Sequence, residues 1–281
     1  MPYQEFLETI SAPRSGVYKR VFRTQTPEET GGAVLWGQAM SMVLLSLMST
    51  FEVALRNRIH RSLSRQATEK MGPASDSFAW YDQQLGMHKL EGETFTKVEA
   101  ILSDDQKIRL KVQPSPDSVI ARLPFGVWPN ILDQQLPTPV IEARTFKDVF
   151  PHHPRAKNHW NHGDNRKTVV NTLKDVRAWR NRLAHCKPVW SAGWYRSSTT
   201  QHWGEVLDRV KSRRAGMLEV LGWICPKTLE VYNRSFSSRL FNELVTEHAV
   251  MAHIFRPLEL HTGPISPCVD PVELIGYKAR R

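Results

Sequence analysis

Met40-Ser-Met-Val43-Leu44-Leu-Ser-Leu47-Met-Ser-Thr-Phe51-Glu52-Val-Ala-Leu55-Arg56-Asn57-Arg-Ile59-His60-Arg-Ser-Leu63 is the stretch on which the fold turns. Met40, Val43, Leu44, Leu47, Phe51, Leu55, Ile59 and Leu63 recur three and four apart, the spacing of a helix with one buried stripe. The pattern predicts a long helix over residues 33–66. Glu52, Arg56 and His60 form an i, i+4, i+8 row on another part of it, with Asn57 alongside. On an isolated helix such a row is a surface salt-bridge line. The longest apolar run, Met40 to Met48, is too short to span a bilayer and carries Ser41 and Ser46.

Outward from this helix the same period returns and strand alternation is nearly absent, so the expected class is all-α. A short N-terminal helix uses Phe6, Leu7 and Ile10. Residues 91–102 form another. A helix starts after the Pro114-Ser-Pro116-Asp117 turn and carries Leu123-Pro-Phe125-Gly126-Val127-Trp128, read as core packing. From Pro137 to Asp164 the chain reads as loop with one short helix. Helices are expected over 164–187, 201–222 and 226–253, followed by a basic tail containing Pro and Gly.

The helix over 164–187 ends in Arg177-Ala-Trp-Arg180-Asn181-Arg182-Leu-Ala-His185-Cys-Lys187-Pro188. Pro188 disfavours helix at Lys187 and so puts the end about there. At about 100° per residue, Arg177, Arg180, Asn181, Ala184 and His185 share one broad sector, with Arg180 and His185 at its edges, roughly 140° apart. The two would converge on something lying across the face, either an RNA phosphate or the same helix of a second subunit. These side chains suit phosphodiester cleavage without a metal. Histidine takes or gives a proton near neutral pH. An arginine fork holds non-bridging phosphate oxygens, and asparagine fixes a hydroxyl or an imidazole. The competing reading of the same residues is a solvated, basic helix end.

Composition favours a polyanionic partner. The chain has 281 residues, a net charge of +10, nine tryptophans and 41% hydrophobic residues, with a pI near 9.7. Such a chain folds rather than staying disordered, and its charge suits nucleic acid. Between His153 and Lys187, nine basic residues face only Asp164 and Asp175. Arg155, Lys157, Arg166, Lys167, Arg182 and Lys187 are the expected RNA-binding residues among them, with Trp160 as a companion. His152, His153, His159 and His162 match no standard zinc spacing, so no metal site is expected. No Gly-rich phosphate loop, nucleophile elbow, repeat or heptad run occurs, and no cofactor is expected. Cys186, Cys225 and Cys268 are too few and scattered for a disulfide framework. With no signal-peptide pattern at the start, a cytoplasmic protein without membrane association is expected.

Arg180-Asn181-x-x-x-His185 resembles the Arg-x4–6-His signature of HEPN domains, and Arg-Asn-Arg-Leu-Ala-His its form in Abi-like (AbiD/AbiF-type) abortive-infection proteins. Three further segments, in family order, resemble that family. They are Ser11-x-x-Arg14-x-x-x-Tyr18, Glu52-x-x-Leu55-Arg56-Asn57, and Leu123-x-Phe125-Gly126-Val127-Trp128, in which Val127 replaces an aromatic residue. The resemblance covers about two-thirds of the chain. It implies a HEPN-like helical bundle with additional helices and long loops: an Abi core over 1–200, C-terminal helices over 201–260 packing on it, and a basic tail over 261–281. It implies a metal-independent endoribonuclease acting in phage defence or as a toxin, with Arg180 and His185 catalytic and Asn181 assisting. Glu52, Arg56, Asn57 and Arg177 would support them. It further implies a homodimer paired through the motif helices, with RNA as substrate and an antitoxin or regulatory RNA as a possible controller. The competing class is a non-catalytic RNA-binding or regulatory dimer, because a scaffold does not guarantee chemistry.

Overall fold

The computed structural model describes residues 2–69, 71–85, 89–155, 158–190 and 202–255. These form twelve α-helices and two 3-10 turns, and no strand. Lys157, Trp194, Cys268 and the basic tail lie outside the described residues. The helices are α1 (Pro2–Ile10), α2 (Ala12–Phe22), α3 (Pro27–Thr68), α4 (Gly92–Leu102), α5 (Pro116–Arg122) and α6 (Val127–Gln134). They continue as α7 (Pro139–Val149), α8 (Gly163–Ala184), α9 (Trp203–Ile224), α10 (Pro226–Asn233), α11 (Phe236–Leu244) and α12 (Glu247–Phe255). All-α is therefore the fold class.

The long helix α3 runs six residues earlier than its apolar pattern. Thr26 caps it by accepting from the Glu29 N–H at 3.2 Å, while the Glu29 carboxylate accepts from the Gln25 N–H at 2.6 Å. This Thr-Pro-Glu-Glu start is a variant of the capping box, with Pro27 at the first helical position, where no N–H is needed. By length and composition α3 could cross a membrane, yet half of its most apolar window is buried inside the protein. That is also how a core helix reads.

Other helices are shorter than their patterns suggested, for identifiable reasons. The single helix expected around 118–128 is two, because Pro124 interrupts it. The expected 226–253 helix is three. Ser235 accepts from the Ser238 N–H at 3.1 Å and Thr246 from the Ala249 N–H at 3.1 Å, so each hydroxyl caps a fresh helix inside the apolar run.

By contacts the chain falls into two compact units. Among the described residues, the first holds those within 2–49, 178–190, 202–218 and 230–255, and the second those within 50–177 and 219–229. This division follows contacts in space and interleaves segments distant in sequence.

The first unit is built on an aromatic cluster. Tyr18, Phe22, Trp36 and Trp190 are all buried, with Tyr18–Trp190 centroids 5.0 Å apart edge-on and Phe22–Trp36 5.5 Å apart. The Trp36 indole donates to the Leu244 carbonyl at 2.9 Å, so its one polar atom is satisfied in the core. Gly32 is the site of a close helix approach. A Cβ there would lie 1.8 Å from the His253 carbonyl oxygen, which only glycine permits.

In the second unit, Phe51 packs on Phe125 at 6.3 Å. Phe146, Phe150 and Trp160 form a three-ring cluster with centroids 5.5 to 5.9 Å apart. Phe125 and Trp128 are buried as core residues.

Candidate functional site

The motif helix α8 ends at Ala184, three residues before the position inferred from Pro188. Its end has a specific geometry. Cys186 takes a left-handed φ of 51°. Its N–H bonds the Leu183 carbonyl at 3.0 Å, and the Lys187 N–H bonds the Arg182 carbonyl at 2.9 Å. That pair of reversed bonds is a Schellman motif, which satisfies helix-end carbonyls and turns the chain. His185 is thus the C-cap residue. Its N–H still bonds the Asn181 carbonyl at 3.1 Å, so its backbone stays on the helical path. Asn181 and His185 are exposed, while Arg180 is half-buried. Arg180 and His185 are five residues apart, about 7.5 Å of rise along the axis.

The helix end has a distant partner in the first unit. The Arg14 guanidinium, on α2, donates to the His185 backbone carbonyl at 3.4 Å. Tyr18, one helical turn beyond Arg14, is buried against Trp190, just past the motif. Burial and the nearby Cys186 push the Tyr18 hydroxyl far above its usual range, partly offset by Arg14, so it stays protonated. Below the motif, Trp179 donates to the Val189 carbonyl at 2.8 Å, and that carbonyl also accepts from Arg213 at 3.2 Å. The Arg213 guanidinium lies over the Trp179 ring at 5.6 Å. The loop after the motif is thereby pinned from two sides.

The second unit gathers the other family-like segments. Arg56 bonds the Asn57 side-chain oxygen at 3.3 Å and approaches the Ala121 carbonyl at 3.5 Å. Glu52 is half-buried and Asn57 exposed. The Arg177 guanidinium lies against Gly126, where a Cβ would come within 2.8 Å of it, so a larger residue at 126 would have to displace the flexible end of Arg177. Arg177 lines a cleft of about 460 Å³ with Lys97, Asn130 and Gln134. Four segments scattered over the sequence thus meet within two neighbourhoods: Arg14 and Tyr18 with the motif end, and Arg56 and Phe51 with Ala121 and Phe125.

Several sequence expectations need correction. Arg166 is buried, its guanidinium bonding the Glu142 carboxylate at 2.7 and 3.0 Å and the Trp160 carbonyl at 2.6 Å. It holds α8 to α7 and is not available to RNA. Trp160 is buried beside Phe146 and Phe150, so it offers no stacking face. His60 does not lie on a surface salt-bridge line. It is buried, and its Nδ1 accepts from the Trp80 indole at 2.9 Å. Its proton therefore sits on Nε2, which lies 3.5 Å from both Ser77 and Asp117. Burial lowers the His60 pKa, with Asp117 opposing.

The histidine-rich loop packs as aromatic rings. His153 stacks on His159 at 4.4 Å and meets Trp223 edge-on at 4.5 Å. Burial first, then neighbouring positive charge, lowers both pKa values. Among the described residues, no three His, Cys, Asp or Glu side chains gather as a metal-holding group.

Of the remaining charge, Arg155, Lys167 and Lys187 are exposed and Arg182 is half-buried. Lys174 is paired with Asp133 at 2.6 Å. No family model, curated protein or solved structure matches the chain.

Proposed function

We propose that this protein is a metal-independent endoribonuclease of the HEPN type, acting in phage defence or as a toxin. The observation that carries the reading is the exposed pair Asn181 and His185 at the capped end of α8, with Arg180 five residues before His185 and Arg14 bonded to the His185 carbonyl. An imidazole, an amide and two guanidiniums at one helix end supply the groups that phosphodiester transesterification needs.

In this reading a base takes the proton of a ribose 2′-hydroxyl, and the 2′-oxygen attacks the adjacent phosphorus. The bond to the 5′-oxygen breaks, that oxygen receives a proton, and a 2′,3′-cyclic phosphate is left. Arginine stabilises the charge that builds on the non-bridging oxygens, and Asn181 orients the hydroxyl or the ring. Each chain offers one motif histidine, whereas the reaction gains from both a base and an acid. A homodimer through the motif helices would bring two histidines to one cleft. An antitoxin or regulatory RNA would act by covering that cleft.

The test is incubation of the purified protein with RNA, mapping of the product ends, and sedimentation at micromolar concentration. Cyclic phosphate ends and a dimer support the reading. RNA bound tightly by a dimer but left uncut would favour a regulatory RNA-binding protein instead.

A further inference from the structure

The second unit carries a basic groove that belongs to none of the family-like segments. Arg58, Arg61 and Arg65 lie at i, i+3 and i+7 on α3, spanning about 10.5 Å of one helix face. They and Lys147 of α7 line a cleft of about 280 Å³, with Ser62 and Asp148 between them. Asp148 accepts from the Ser62 hydroxyl at 2.9 Å. Arg61 and Arg65 share a single carboxylate, Asp76, at 3.3 and 2.5 Å.

Arg58 and Lys147 form no ion pair or hydrogen bond with any described residue. Arg58 is moreover half-buried. Like charges at this spacing repel, and a partly desolvated guanidinium without an acceptor is costly. An anion bridging α3 and α7 would relieve the arrangement.

The groove continues. Lys147 also lines a second cleft of about 680 Å³ that runs along α7, past Arg144 and Val140, to Asn158 and Asn161. Val140 is 77% exposed there. Arg144 there is paired with Glu69, so Arg58, Arg61 and Lys147 are the cations that lead into a shelf with apolar and amide groups.

We propose that this groove binds single-stranded RNA, with Arg58, Arg61 and Lys147 on the phosphates and the Val140–Asn161 shelf under the bases. An acidic protein segment would satisfy the cations equally but would leave the shelf unused. Amides read base edges, and an apolar surface accepts their faces. The inference shares with the nuclease reading only the choice of RNA, and its test needs no cleavage.

Fluorescently labelled oligouridine of about ten nucleotides is titrated with full-length protein carrying His185→Ala, across a range of salt. Adding Arg58→Ala, Arg61→Ala and Lys147→Ala together should weaken binding at least about tenfold. It should also flatten the log–log salt slope by about two, at roughly 0.7 per lost phosphate contact. Lys147→Glu alone, at an exposed position, repeats the test if the triple variant melts early. Unchanged affinity and slope would overturn the proposal. So would a polyglutamate of similar length that displaces the oligonucleotide at equal concentration, which would assign the groove to an acidic protein partner.

Discussion

Arg14 donates to the backbone carbonyl of His185 across 171 residues of sequence. The bond links α2 to the C-cap residue of the motif helix and puts a second guanidinium at the end where Asn181 and His185 are exposed. Arg14 is itself exposed, so the bond contributes little stability, on the order of 0.5–1 kcal/mol. Arg14→Ala should leave the melting temperature within a few degrees of wild type yet lower kcat/KM for RNA by about tenfold or more. Arg14→Lys should restore little, because a point charge does not reproduce the guanidinium fork. Full activity in Arg14→Ala would mean the contact is only structural.

Cys186 holds a left-handed backbone with a side chain that makes the conformation unfavourable. Glycine removes that cost, so Cys186→Gly should stabilise the first unit by about 0.5–1 kcal/mol. Cys186→Val should destabilise it, because a branched Cβ tolerates this φ least. Thermal melts of the two variants check the sign. The same sign for both would contradict the Schellman end.

Arg166 and Lys167 are neighbours in sequence with opposite expected behaviour. Arg166→Ala strands the Glu142 carboxylate and the Trp160 carbonyl in a mostly buried place. Its cost should be about 2–4 kcal/mol, somewhat discounted because Glu142 is partly exposed. Lys167→Ala should be neutral in stability and weaken RNA binding alike for unrelated sequences. Chemical denaturation separates the two.

His60 makes the second unit acid-sensitive. Its folded pKa lies below the usual 6.5 because burial disfavours the charged ring, and a second proton would have to displace the Trp80 indole from Nδ1. Below about pH 6.5 the unfolded chain binds the extra proton first, so stability is full above that pH and falls as pH drops. His153 and His159 shift in the same direction for the same reason. Melting temperature should therefore decline from pH 7 to 5, and His60→Asn should make the decline shallower. A decline of equal steepness in His60→Asn would remove His60 from this account.

Much of the helical architecture was legible because the stripe from Met40 to Leu63 repeats without interruption. The earlier start of α3 was also written in the chain, as Thr26-Pro-Glu-Glu29, but a reading led by apolar period passes over a polar cap. Ser235 and Thr246 were hidden for the converse reason, since apolar spacing continues across them. The motif could be read as a cluster on one helix. What could not be read was pairing at a distance: Arg14 with His185, or Arg166 with Glu142, where local charge suggested a free basic surface and tertiary contact consumed it. Arg58, Arg61 and Arg65 stood in plain spacing on α3. Only the approach of Lys147 and the shared Asp76 makes them a groove.

The most direct measurement of the central claim is cleavage of total RNA by the purified protein, with and without EDTA, beside folded His185→Ala. Cleavage should be equal in both buffers, and the variant should lose about 10²–10⁴-fold with RNA binding largely kept. Activity abolished by EDTA and restored by a divalent cation, or undiminished in His185→Ala, would contradict it.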